Sequence, residues 1–403
     1  MKRNIVIIIV ISFLLIVFLG YYAYWKFRVF HAVKIVKLST SEVEVFSNVK
    51  VGDIIQTING KLITNPKIDT TKIGVQEVSF QYQTDEGIKV PYTIHVNVVD
   101  KTAPFIAYPG VYRVEVGSTT KDELEKSFFC GDNYDDNPIC RIDGDFDLES
   151  EGEYPVSWVG IDSSNNVSKH PFTIVVKNRE SSSNHSDSSD EEVSTSFQDI
   201  IERYKNDHTK IGIDISYWQG NIDFQELKKS HVEFAYLRVG RRDGVHGEIV
   251  EDKKFQEYIT GFNKVKIPVG VYFYSKASNI EEVKEEVEWI LKKIKKYQVD
   301  LEIVIDWENW EQYQDYHLSF YHLTEMAQVF LSEVEKKGYQ SMLYSSKYYL
   351  ENIWYPVQSH IWLAHYTEQT DYQKEYKVWQ ICNNGKVSGI HDNLVDIDIR
   401  YES

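Results

Sequence analysis

Residues 301–308 read LEIVIDWE, an aliphatic run that ends abruptly in two carboxylates. The apolar part predicts a strand buried on both faces. Asp306 and Glu308 are two positions apart, so a strand directs both side chains to the same side. Two poorly solvated acids this close repel each other, which raises the pKa of at least one. The stretch therefore predicts a general acid at a strand end, although ordinary surface acids after a strand would give the same pattern.

Strands alternate with amphipathic helices around this stretch, from about residue 198 to residue 403. Seven further runs are typical of strands: 211–216, 234–239, 267–274, 342–344, 360–364, 377–381 and 395–399. Only the first five connections leave room for a helix, and the segment is shorter than the ~250 residues of a full eightfold barrel. We predict an abbreviated TIM-like (β/α)5β3 barrel, in which Asp214 and the two acids above converge on one mouth.

Residues 1–30 begin with Lys2 and Arg3 and continue as an apolar run to about Trp25. About 20 apolar residues suffice to span a bilayer. The run shows no small-residue cleavage site and ends in aromatic residues that suit a membrane interface. We predict an uncleaved transmembrane signal-anchor in the cell membrane, with the C-terminal domain on the extracellular side. A cleaved signal peptide, followed by secretion, is the alternative.

Short alternating runs between residues 31 and 178 predict two all-β sandwich modules, 31–100 and 101–178. The second resembles the bacterial Ig-like modules of surface proteins in three places: DNYDD at 132–136, the Gly-x-Tyr at 152–154, and DSSNN at 162–166. Cys130 and Cys140 are candidates for a disulfide outside the cell. We expect the modules to act as spacers or weak contacts to the cell wall.

Several other features exclude classes of function. The acids between 132 and 147 lack the spacing of an EF-hand loop and are typical of Asp-rich turns, so no metal site and no cofactor are predicted. Residues 179–197 are serine-rich and acidic, which predicts a flexible linker. The net charge of −17 comes without a basic stripe, which argues against a nucleic-acid partner.

A set of short motifs in the C-terminal domain resembles the glycoside hydrolase family 25 lysozymes, or N-acetylmuramidases, over about residues 210–401. The motifs are GIDISYWQG at 212–220, IDF at 222–224, GVYFY at 270–274, DWE at 306–308, WLAHY at 362–366, WQ at 379–380 and VDID at 395–398. The resemblance implies cleavage of the β-1,4 bond between N-acetylmuramic acid and N-acetylglucosamine. Peptidoglycan glycan strands would be the partner, in wall remodelling or lysis.

The resemblance also implies roles for four acids. Glu308 matches the general acid that protonates the leaving oxygen, and Asp306 matches the carboxylate that orients the substrate's N-acetyl group. Asp214 and Asp396 match two further site acids; Asp396 is preferred to Asp398 because it follows the valine, as in the family. Candidate substrate-binding residues near the strand ends are Tyr272, Tyr274, Tyr344, Tyr366, Trp379 and Gln380, although aromatic residues are also ordinary packing residues.

Two rival interpretations remain open at the sequence level. A chitinase-like barrel also ends its fourth strand in Asp-x-Glu, but two more acids precede it there, at the positions of Leu301 and Val304 here. A membrane-tethered wall-binding protein that has lost catalysis would not be expected to retain the full set of four acids.

Overall fold

The computed structural model describes residues 2–107, 110–179, 194–391 and 393–402, without the side chains of residues 2–9. Helix α1 (Lys2–His31) opens the chain, and its stretch Val10–His31 is long and apolar enough to cross a membrane. Such a helix fits a membrane anchor and a signal sequence equally well. The predicted linker falls largely on residues 180–193, which lie outside the described residues.

The chain divides into two compact units, Met1–Lys101 and Thr102–Ser403. After α1, the first unit contains β1 (Val36–Leu38), β2 (Glu42–Glu44), α2 (Val51–Ile54), β3 (Ile55–Ile58), β4 (Gly60–Leu62), β5 (Gly74–Thr84) and β6 (Lys89–Val99). Its four-stranded sheet has the order β2-β6-β5-β4, and β1 pairs with β3. Alternate residues of β5 are buried from Val78 onward, because a strand with one face on the core has a period of two.

The second unit begins with a β module of the same layout. Its elements are β7 (Phe105–Ala107), β8 (Val111–Glu115), α3 (Lys121–Lys126), β9 (Phe129–Gly131), β10 (Ile139–Asp143), β11 (Gly152–Ile161) and β12 (Val167–Lys177). The sheet order is β10-β11-β12-β8, with β7 paired to β9. In both modules a long antiparallel hairpin is flanked by one parallel and one antiparallel strand. A disulfide joins Cys130 to Cys140.

The remaining residues form a closed eight-stranded barrel with its helices. The elements are β13 (Thr195–Ser196), α4 (Phe197–Tyr204), β14 (Thr209–Ile215), α5 (Phe224–Lys229), β15 (Ala235–Arg242), β16 (Ile249–Glu251), α6 (Phe255–Val265), β17 (Val269–Ser275), α7 (Ile280–Ile294), β18 (Ile303–Trp307), α8 (Phe320–Lys336), β19 (Ser341–Ser346), α9 (Lys347–Asn352), β20 (His360–Ala364), β21 (Val378–Lys386) and β22 (Val395–Tyr401). Short 3₁₀ helices cover Tyr217–Gln219 and Trp310–Tyr316.

The barrel strands follow the order β14-β15-β17-β18-β19-β20-β21-β22, and β22 closes the ring onto β14. In the described part of the barrel, the first five strands are each followed by a helix, and the last three are not. One strand departs from the parallel arrangement of the other seven: β22 runs antiparallel to both of its neighbours. Its first residues therefore lie at the same mouth as the last residues of the seven parallel strands.

The two faces of β18 pack into different layers. Ile303, Ile305 and Trp307 belong to the outer core between barrel and helices. Val304 faces the barrel interior, where it packs with Tyr236, Met342 and other side chains. Because side chains alternate along a strand, Asp306 follows Val304 to the inner face, and Glu308 comes next on that side at the mouth. The strand thus delivers both acids to one place.

Candidate functional site

A cleft of about 310 Å³ occupies the barrel mouth. It is lined by all four predicted acids, Asp214, Asp306, Glu308 and Asp396. Asp214 and Asp396 lie directly opposite each other on neighbouring strands, because β22 starts where β14 ends. The other two acids come from β18, across the cleft. Four carboxyl groups from three strands therefore share one concave site.

Burial dominates the electrostatics of these acids. It raises the pKa of Glu308 to about 7, although a hydrogen bond with Asp306 favours the ionised form. Burial also raises the pKa of Asp306 well above its ordinary value, and the negative charges of Glu308 and Asp214 add to this effect. The two groups are close enough to titrate as a pair. The pair therefore retains a proton at neutral pH, as a general acid requires.

The opposite wall holds three more carboxyl groups that resist ionisation. Burial raises the pKa of Asp396 to about 9, helped by the charges of Asp214 and Glu308. Burial and the charge of Asp398 raise the pKa of Asp214 well above its usual range. Asp398 is fully buried below the cleft, where Trp362 Nε1 donates a hydrogen bond of 2.8 Å to it. Asp398 thus supports the site from below, whereas Asp396 faces the cleft.

Gln380 links the tyrosines of the cleft to Asp214. Its Oε1 accepts hydrogen bonds of 2.9 Å from the hydroxyls of Tyr344 and Tyr366. Its Nε2 donates one of 2.8 Å to Asp214 Oδ2. These partners fix the orientation of the amide, because the two tyrosine hydroxyls donate and therefore need the amide oxygen, not its nitrogen, on their side. Gln380 lines the cleft, but its hydrogen-bonding groups already bind protein partners.

The structure brings five of the six predicted substrate-binding residues to the cleft and leaves one outside. Tyr272, Tyr274, Tyr344, Tyr366 and Gln380 all line it. Trp379 is buried in the outer core, and its Nε1 donates to the carbonyl oxygen of His365. Trp379 precedes Gln380 in β21, so the two side chains point to opposite faces of the sheet.

Two further cleft residues were not singled out from the sequence. Arg238 is held by Asp252, with Nε 2.9 Å from Oδ2, and lies over the Tyr217 ring. Its positive charge favours ionisation of Asp306. Trp218 is 62% exposed and lines both this cleft and an adjoining cavity of about 740 Å³. Trp218 could have been identified from its position within the 212–220 motif. A lone arginine on a strand, such as Arg238, carries no sequence signal of this kind.

Comparisons with known proteins find similarities to the barrel. The sequence model of glycosyl hydrolases family 25 matches residues 213–390. The autolytic lysozyme of Clostridium acetobutylicum is 24% identical over 190 residues, which cover 46% of this chain and 54% of that protein. The chain therefore spans about half the length of this curated relative.

Solved structures of the same kind are also similar. A family 25 glycosyl hydrolase from Bacillus anthracis is 24% identical, with a TM-score of 0.42, over 50% of this chain and 93% of that one. The Clostridium perfringens spore cortex lytic enzyme SleM is 20% identical, with a TM-score of 0.42, over 49% and 69%. The part of the chain that resembles the family 25 sequence model, residues 213–390, lies within the barrel.

Proposed function

We propose that residues 198–403 are the catalytic domain of a peptidoglycan hydrolase, a lysozyme that cleaves the β-1,4 bond between N-acetylmuramic acid and N-acetylglucosamine. The observation that carries this proposal is the carboxyl pair at the end of β18. Glu308 has its pKa raised to about 7 by burial, beside Asp306, in a cleft of about 310 Å³. The name of the curated relative, an autolytic lysozyme, supports the choice of substrate.

In this mechanism Glu308 donates its proton to the glycosidic oxygen as the bond from that oxygen to the anomeric carbon breaks. Asp306 accepts a hydrogen bond from the N–H of the substrate's acetamido group. Such a bond favours the ionised form of Asp306 and leaves the shared proton on Glu308. The acetamido oxygen then forms a bond to the anomeric carbon. Water displaces it and returns a proton to Glu308.

Asp214 and Asp396 set the charge of the opposite wall. Burial raises the pKa of Asp396 to about 9, so its carboxyl group keeps its proton at neutral pH and can donate a hydrogen bond to a sugar hydroxyl. Burial also raises the pKa of Asp214 above its usual range. Tyr272, Tyr274 and the exposed Trp218 offer aromatic surfaces for sugar rings. The adjoining cavity of about 740 Å³, which shares Trp218 with the cleft, offers room for further sugar units.

Helix α1 and the disulfide of the second module bear on the cellular placement. We infer that α1 anchors the protein in the cell membrane, with secretion after signal cleavage as the alternative, and that the catalytic domain acts outside the cell. The disulfide between Cys130 and Cys140 fits an oxidising compartment. The two β modules keep their interpretation as Ig-like modules of a surface protein, and the role that fits this placement is cell-wall remodelling.

Identification of the reducing sugar released from purified peptidoglycan tests this function. The full-length protein in detergent is incubated with the walls, new reducing ends are labelled with borodeuteride, and the labelled sugar is identified by mass spectrometry. We expect reduced N-acetylmuramic acid. Labelled N-acetylglucosamine would mean that the other bond of the strand is cut. Binding to walls without release of reducing ends would indicate the catalytically silent wall-binding protein.

A further inference from the structure

The second β module contacts the barrel through residues 128–137, which we call the docking loop. Side chains alternate across β9: Cys130 packs into the module's own core, whereas Phe129 packs into the barrel's outer core. Phe129 is 7% exposed, and its ring centre lies 4.9 Å from that of Tyr313 and 6.1 Å from that of Phe320. A module that acted only as a spacer would not place an aromatic side chain in the core of its neighbour.

The fit at β9 is too close for a side chain at the next outward position. A Cβ atom on Gly131 would lie 2.6 Å from Phe320 Cε1 and 2.7 Å from Tyr313 Cε1. Real Cβ atoms do not approach other carbons this closely, so the backbone of β9 itself packs onto the barrel's aromatic side chains. The contact is therefore shaped for this partner.

Polar groups of the docking loop complete the N-terminus of α8. Ser319 N donates to Asp136 Oδ1 at 2.7 Å, and Phe320 N donates to the Asp132 carbonyl oxygen at 2.8 Å. His322 Nδ1 lies 2.7 Å from the same Asp136 oxygen. The first N–H groups of a helix have no partner within it and favour negative charge nearby. The module supplies both partner and charge.

The barrel segment held in this way begins directly after Glu308. Trp310 N donates to the Glu308 carbonyl oxygen at 2.8 Å, and the Trp310 ring stacks on Tyr349 with centroids 3.9 Å apart. The segment 309–319 then runs through Tyr313 to the docking loop, where Gln314 Nε2 donates to the carbonyl oxygen of Phe128. Segment 309–319 is thus fixed to the catalytic strand at one end and to the module at the other.

We propose that the second β module contributes to catalysis: its docking loop holds segment 309–319 in place and thereby positions Glu308. Phe129 and Asp136 are the positioning residues. The assignment of Glu308 as the acid rests on the proposed function, whereas the docking itself does not. The spacer role predicted from the sequence is replaced by this one for residues 102–178.

The test compares Phe129→Ala with Phe129→Leu in the full-length protein, and with Ile139→Ala as a control in the same part of the module, at a side chain that is 59% exposed. Hydrogen exchange of peptides from 309–319 reports docking without any need for activity. We expect Phe129→Ala to lose at least tenfold protection there while β14 and β15 keep theirs. Phe129→Leu should regain most of it, and Ile139→Ala should match wild type.

The rate of peptidoglycan cleavage reports whether Glu308 is correctly positioned. A displacement of about 1 Å in a catalytic group costs up to ~100-fold in rate. We expect Phe129→Ala to lower kcat tenfold or more at unchanged KM. The basic limb of its pH profile should shift downward, since a looser segment lets water reach Glu308. Partial unfolding would lower the amount of active enzyme without shifting the basic limb of the pH profile. An unshifted basic limb would therefore overturn the proposal.

A second pair of variants keeps the test decisive if Phe129→Ala does not fold. Asp136→Ala removes the partner of Ser319 and His322, and Asp143→Ala removes a surface partner of Arg141 in the same module. Only Asp136→Ala should expose 319–322 to exchange and lower kcat. Wild-type exchange in Asp136→Ala would contradict the docking role. Altered exchange at wild-type kcat would contradict positioning. If wild type cleaves no wall, the proposed function fails, while hydrogen exchange still decides the docking.

Discussion

Replacing Glu308 by glutamine is expected to lower kcat on peptidoglycan by 10²- to 10⁴-fold, the usual contribution of a general acid. Glutamine has nearly the same shape, so it keeps the packing of the cleft, but it has no proton to give to the leaving oxygen. KM should change little, because the tyrosines and the other acids of the cleft are untouched. The measurement is the rate of reducing-end release by the full-length protein in detergent.

Glu311→Gln is the matched control, because Glu311 lies three residues further along and is exposed. We expect its kcat to equal that of wild type. If Glu308→Gln retained more than about a tenth of the activity, the proton would have to come from another group of the cleft. Asp306 would then be the first to examine.

Glu302→Ala should lower the free energy of unfolding by about 3–5 kcal/mol, the cost of leaving a buried charge without its partner. Glu302 is fully buried directly before β18, at the end of that strand far from the cleft, and binds Arg400 through two hydrogen bonds of 2.6 and 2.9 Å. Burial alone would raise the pKa of Glu302, but the hydrogen bonds and charge of Arg400 lower it overall. The alanine variant would leave the guanidinium of Arg400 buried beside the hydroxyl of Tyr236.

Denaturant unfolding followed by tryptophan fluorescence measures this loss, since most of the tryptophans belong to the barrel. Glu402→Ala is the control on the same arginine: Glu402 Oε1 accepts from Arg400 Nε at 3.2 Å but is partly exposed. An exposed pair contributes about 1 kcal/mol or less. Equal losses in the two variants would contradict the structural role given to the buried pair.

The barrel strands could be predicted because each is a short apolar run bounded by polar residues. All eight predicted runs are strands, and the five helices lie after the first five of them. The direction of β22 could not be predicted, because a strand has the same two-residue period whichever way it runs. That direction decides the site: it brings Asp396 to the mouth and leaves Asp398 buried below, although both lie on one face of the strand.

Within the site, the acids were easier to predict than their neighbours. A carboxylate at the end of a buried strand is unusual, whereas an aromatic residue there is common. Trp379 and Gln380 were both expected in the cleft, but consecutive strand residues face opposite sides, so only one could be there. The pattern does not show which side is the inner one. The role of Arg238 could not be predicted, because it depends on Asp252 and Asp306, which are distant in sequence.

The contact between the second module and the barrel was beyond the reach of sequence patterns. Phe129 lies in a strand of three residues, where outward and inward side chains cannot be told apart by periodicity. The acidic residues of 132–136 suggested turns, and Asp132 does accept hydrogen bonds of that type from Tyr134 N and Asp135 N. The same loop also completes the N-terminus of α8. This contact depends on how the second β module packs against the barrel, and such packing leaves no periodic signal in the sequence.

The account depends most on the protonation of Glu308, and a titration of its carboxyl group measures this directly. The protein is labelled with ¹³C at glutamate side-chain carboxyls, and the Glu308 signal is assigned by its absence in Glu308→Gln. We predict that it titrates near pH 7, so that the acid is competent below this pH and the rate falls as pH rises through it. A pKa near the ordinary glutamate value of about 4.3 would mean that the cleft leaves Glu308 ionised at neutral pH, and would contradict its role as the acid.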